Sequence, residues 1–193
     1  MRNTLIGLAV LAGLGPAAAG EIASAYTELD LGRDCAIVAA AGPDDGDWQD
    51  LACSGWRGYP VLLTIADLRS SAFYGFPPAG DRPFETFAAF NDVGPRIEWR
   101  IESEGDRSTA FAAIQRWTVE GTEGQRTEVL VVAKVGQPAA RQGCTVGLVT
   151  ASGNPGANEA ARKLADERAR SFACGTDKPV EVGKVPSFTL GRG

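Results

Sequence analysis

Residues Arg96 to Glu102 read RIEWRIE, and this alternation constrains the fold more tightly than anything else in the chain. Ile97, Trp99 and Ile101 face one way; Arg96, Glu98, Arg100 and Glu102 face the other. That is the period of a β-strand with one side in a core. The charged side is expected to be wet, carrying cross-strand ion pairs.

The segments around it extend the pattern. Phe111 to Glu120 follows a turn at Gly105 and Asp106 and reads as a second strand. Glu128 to Val135 is apolar on both faces, as a central, covered strand should be, and Cys144 to Ala151 reads the same way. Short turns between successive strands make an antiparallel meander the economical arrangement. Upstream, Tyr26 to Leu31 alternates, Val61 to Ile65 has strand length and β-branched content, and Ser71 to Tyr74 begins a paired strand. Gly75 to Arg82, broken by Pro77, Pro78 and Gly80, is expected to be a long exposed loop. Phe84, Phe87 and Phe90 recur at three-residue spacing before Asn91 and Gly94, which suits a short helical turn stapled onto the core.

One long helix is expected. Asn154 and Pro155 supply an N-cap and a first-turn proline, and Ala157, Ala161, Leu164, Ala165 and Phe172 then recur at helical spacing up to a stop at Gly175. The reading is a single α+β domain over 26–175: a curved antiparallel sheet of about five to seven strands with one C-terminal helix on a face. Residues 176–193 form a tail or strap. A mature chain of this size buries about 70% of its unfolded surface, enough for one core.

The first residues read as an export signal. Arg2 precedes an apolar run from Leu5 to Leu14, and Pro16 precedes a small-residue cleavage site at Ala17–Ala19, with a second at Ala23–Ala25. A cut is therefore expected after Ala19 or Ala25, and the run is too short to span a bilayer. Removing 1–19 takes away Arg2 alone, leaving 18 basic and 24 acidic side chains, a net charge of −6. The expected address is the periplasm or the exterior of a bacterial cell, with no integral membrane segment left in the mature chain. An acidic chain of this kind is not expected to grip nucleic acid, which needs concentrated positive charge.

Four cysteines follow: Cys35, Cys53, Cys144 and Cys174. In an oxidising compartment an even number reads as disulfides, and no CxxC spacing argues for zinc or redox chemistry. Of the three pairings, Cys35–Cys53 and Cys144–Cys174 are favoured because each closes a local loop, worth about 3 kcal/mol.

Histidine is absent, which removes Ser-His-Asp and Cys-His nucleophilic systems and histidine-bearing metal sites. Carboxylate chemistry survives, as in glycosidases. Asp30, Asp34, Asp67, Glu98 and Glu102 are the candidate acids, each with a solvated strand-face or turn carboxylate as the plainer account. Asp44, Asp45, Asp47 and Asp50 cluster hard oxygens as a calcium loop does, without matching the EF-hand order. No cofactor is indicated.

Two aromatic sets suggest a contact surface: Trp48, Trp56 and Tyr59 around Cys53, and Phe73, Tyr74 and Phe76 in the proline-broken loop. The plainer account is that these rings cap an open edge of the core. The functional expectation is an exported, disulfide-stabilised binding or accessory module, leaning away from an enzyme, with an envelope or secreted protein as partner. The alternatives are a carboxylate-dependent hydrolase of envelope glycan and a calcium-stabilised structural protein.

Overall fold

The computed structural model describes residues 20–80 and 82–191. The expected signal segment 1–19 and the last two residues of the tail lie outside them. The chain runs β1 (Glu21–Glu28), a one-turn helix α1 (Leu31–Asp34), β2 (Cys35–Ala40), β3 (Trp48–Ser54), β4 (Pro60–Ala66), β5 (Arg69–Tyr74) and β6 (Glu85–Phe87). It continues with β7 (Asn91–Glu104), β8 (Arg107–Glu120), β9 (Arg126–Lys134), β10 (Cys144–Thr150), α2 (Ala157–Arg168), β11 (Val180–Val182) and β12 (Phe188–Leu190).

A six-stranded sheet in the order β1-β7-β8-β9-β10-β11 forms the frame. The expected meander is its β7 to β10 portion. The sheet is mixed, because β11 joins β10 in parallel after the α2 crossover. The strand expected over Tyr26–Leu31 lies earlier, at β1, since Asp30 caps α1 by accepting from the Gly32 and Arg33 N–H groups.

Helix α2 covers one face of this sheet. Ala157, Ala161, Leu164 and Ala165 pack on Ile114, Leu130, Val132 and Val146. A Cβ on Gly147 of β10 would stand 2.7 Å from Leu164 Cδ1, so the bare backbone there admits the helix. Asn154 accepts from the Gly156 N–H, but the cap itself is Gly156, and α2 ends at Arg168 rather than Gly175. The Cys144–Cys174 bridge ties the start of β10 to the chain beyond the helix.

The opposite face is covered by a four-stranded antiparallel sheet, β2-β3-β4-β5, and by the β6-β12 pair. Cys35 and Cys53 sit directly opposite in the β2–β3 register and are bonded. Leu51, Val61, Leu63 and Tyr74 meet Ile97, Trp99 and Ile101 in a second core, and Phe87 and Phe188 meet Trp117, Val129 and Val131 in a third. The tail is thus a strap that contributes β11 and β12. The expected helical turn over 84–94 is instead strand β6, a bend at Ala88 and Ala89, and the start of β7, with Phe90 exposed. Phe87 is fully buried, and Asn91 Nδ2 donates to the Ala89 carbonyl and the Thr86 hydroxyl, which fixes the bend between β6 and β7.

A bulge in β8 lets one strand serve two cores. Register shifts between Arg100 and Ile101, so Phe111 and Ala112 both face α2 while Ala110 and Ala113 face the smaller sheet. Within that second interface Gln115 is fully buried. Its Oε1 accepts from the Tyr74 hydroxyl at 2.5 Å, and its Nε2 donates to the Gly94 carbonyl at 2.6 Å. Tyr74→Phe leaves that amide oxygen without its donor, and urea titration is expected to show a loss of about 1–3 kcal/mol.

Candidate functional site

Within residues 96–102 the charged face of β7 is wet at its Arg96 end alone. Glu98 and Arg100 are buried under α2, and the ion pairs run from strand to helix as well as across the sheet edge. Arg162 Nε donates to Glu98 Oε1 at 2.6 Å, and Arg100 grips Asp166 through two bonds of 2.8 and 2.7 Å. Ser24 of β1 donates to Glu98 and accepts from Arg100. The Glu98 carboxylate holds the Arg162 guanidinium well above its usual range. The cross-strand pair that was expected is Arg96 with Glu28.

The other candidate acids are similarly occupied. Asp30 caps α1, Asp34 bonds Arg33 Nε at 2.9 Å, Asp67 lies 3.2 Å from Arg69, and Glu102 lies 3.8 Å from Arg170. Of the four aspartates in the calcium reading, Asp44, Asp45 and Asp47 are exposed in the turn after β2. Asp50 points elsewhere, receiving Arg82 Nη2 at 3.1 Å and the Thr64 hydroxyl. Among the described residues no three His, Cys, Asp or Glu side chains gather as a metal site would require.

Five of the six named aromatics divide into two places, and the sixth, Tyr74, lies in the second core. Trp48 and Phe73 line a recess of about 410 Å³ on the outer face of the four-stranded sheet, together with Asp50, Thr64, Ser71 and Arg82. Trp56, Tyr59 and Phe76 form a half-buried plug over the end of the second core. Tyr59 stands 5.6 Å from Phe76, 6.0 Å from Trp56 and 6.3 Å from Trp99, centroid to centroid. Partial burial pushes the Tyr59 hydroxyl above its usual range, and it donates to Gln137 at 3.0 Å. This plug is the cap on an open core edge that the sequence offered as the plainer account.

Phe73 and Tyr74 require a correction. They belong to β5, not to the loop, and at 5% and 1% exposure they offer no contact area to a partner. Tyr74 packs edge-on against Trp99, and Phe73 is covered by Gly136 and Gly143, where a Cβ would meet its ring at 3.1 and 2.9 Å. The proline-broken loop starts only after the Gly75–Gly136 bridge.

Two features escaped the sequence reading. One is the outer edge of the four-stranded sheet. Strand β2 carries no charge and is exposed from Ala36 to Ala40, with Ile37 and Val38 63% and 62% exposed beside a register shift. The run CAIVAA held the signal, an apolar segment with strand character, but its place at an edge is a property of topology. The other is a cleft of about 500 Å³ between β6, the Cys144–Cys174 bridge and the tail, with Glu85 in its wall. Glu85 Oε2 accepts from the Thr145 N–H at 2.6 Å. No local pattern marks that glutamate.

No family model matches the chain, and no curated protein or solved structure matches it at a significant level.

Burial pushes the Glu85 carboxyl up from its ordinary value of 4.5, with the Thr145 N–H pulling the other way. The stability that a neutral Glu85 contributes is therefore full below pH 4.5 and is lost as pH rises through the higher folded value. Glu85→Gln keeps an oxygen for Thr145 and avoids that loss. The variant is expected to be more stable than the unmodified chain at about pH 7 and to lose its advantage near pH 4, as read by urea midpoints at both values.

Proposed function

We propose that this chain is an exported, non-enzymatic binding or accessory module of the periplasm or cell exterior, and that an envelope or secreted protein docks along β2. The observation that carries the reading is the exposed, uncharged edge strand with Ile37 and Val38 in water. Edges of this kind are ordinarily blunted by charge, proline or a covering element, because they recruit other chains. The bulge at Val38 is the only such device on β2, where Ile37 and Val38 stand exposed, a small anchor of the kind that interfaces bury.

Three further observations support the reading. The Leu5–Leu14 run and its small-residue sites suit export, and both disulfides suit an oxidising compartment. A cut after Ala19 keeps all of β1, whereas a cut after Ala25 removes Ser24 from the Glu98–Arg100 network, so Ala19 is the site we favour. Among the described residues no helix is long and apolar enough to cross a membrane. The acids that the sequence offered for the glycan-hydrolase and calcium alternatives are individually paired, capping or scattered in solvent.

The test is an affinity capture from the protein's own periplasm with the tagged mature chain, alongside the Ile37→Lys/Val38→Lys double variant. Both positions are exposed, so the variant is expected to melt within about 1 °C of the unmodified chain. One partner enriched saturably by the unmodified chain and lost with the lysine variant is the expected outcome. A partner that binds both forms equally, or none at all, contradicts the reading.

A further inference from the structure

The cleft beside β6 holds an acid without a counter-ion. Glu85 is set in place from two directions: Thr145 N–H donates to its carboxylate at 2.6 Å, and its own N–H donates to Ser71 Oγ at 3.0 Å. Among the described residues no cation pairs with it, whereas the buried acid of β7 has two arginines. A partly buried carboxylate with no ion-pair partner costs stability, so packing alone does not account for it.

The surroundings narrow what could neutralise it. A calcium ion takes six to eight oxygens, and no three ligating side chains gather there or elsewhere among the described residues. An organic cation needs one carboxylate and an apolar wall for its body, and Pro83, Phe172 and Leu190 supply that wall. The cleft, about 500 Å³, lies in the size range of small-molecule sites. The other charged groups that face it are Arg141, Asp177 and Lys178, all exposed at the rim. Asp177 is engaged by the Ala173 N–H at 2.9 Å, and Arg141 donates to the Pro77 and Pro138 carbonyls at 3.4 Å.

We propose that this cleft binds an organic cation, an amine or guanidinium on a short apolar body, with Glu85 as its counter-ion. This site is separate from the β2 edge and does not depend on the docking reading. The same head group comes from a free small molecule or from the arginine or lysine side chain of a peptide, and both are probed.

The experiment titrates the isotopically labelled mature chain with n-butylguanidinium, n-butanol and a blocked Gly-Arg-Gly peptide, following the Thr145 amide by NMR. Butylguanidinium is expected to move that resonance saturably and butanol to leave it in place. Glu85→Gln, which keeps the Thr145 bond, is expected to weaken binding about tenfold, the size of one charge-assisted hydrogen bond. Glu85→Asp, which keeps the charge but withdraws it, is expected to fall between the two. Binding by the peptide identifies a side chain as the source, and binding by butylguanidinium alone identifies a free cation. Equal binding by the glutamine variant, equal binding by butanol, or no saturable shift with either cation overturns the proposal.

Discussion

Burial of β7, β8 and β9 on both faces is the constraint from which the rest of the architecture follows. Antiparallel sheets usually keep one face in water, and their strands then alternate. Here Ala112, Ala113, Ile114 and Val132 are all within 4% exposure although they point to opposite sides of the sheet. A strand covered on both sides needs two partners: the β2–β5 sheet with the β6-β12 pair covers one face, and α2 covers the other. Small side chains at Ala110, Ala112 and Ala113 let both layers come close, and the Phe111 bulge shifts the phase so that each layer meets its own set.

Charge is handled differently on the two sides. The interface with the smaller sheet contains two buried amides: Gln115, whose partners come from β5 and from the bend in β7, and Asn91, which accepts from the Ser70 N–H of β5. A fully buried amide of this kind restricts how the two sheets slide against each other. The α2 side instead carries a paired network, Arg162–Glu98–Arg100–Asp166, with Ser24 joining it from the edge strand. Each charge has an opposite neighbour, which is the condition under which partly buried ions are tolerated. Glu85, with none, stands out against that background.

Much of the frame was legible in the sequence because period and length carry it. The strands at Arg96–Glu102, Phe111–Glu120 and Glu128–Val135, the late helix and both disulfides follow from local pattern and loop arithmetic. What was not legible depended on neighbours distant in sequence. Arg96–Glu102 shows one charged face, and nothing local says that α2, some sixty residues on, lies over it. Phe84, Phe87 and Phe90 keep helical spacing, yet β12 from the far end of the chain pairs with Glu85–Phe87 and draws Phe87 into a strand. Phe73 and Tyr74 sit next to a glycine and two prolines, and only the pairing of β4 with β5 carries them inward. The edge position of β2 and the cleft at Glu85 are likewise products of topology.

The chain is a doubly covered frame whose β2 edge, among the described residues, is apolar and unpaired. Amide hydrogen exchange on the isolated mature chain tests both halves together. Amides of β8 and β9 are expected to exchange last, at the rate set by global unfolding, while the outward amides of β2 exchange early, as unpaired backbone does. Slow exchange along the outer side of β2 would mean that the edge is already covered, and early exchange in β8 would mean that the frame is not built on its double burial; either result contradicts the account.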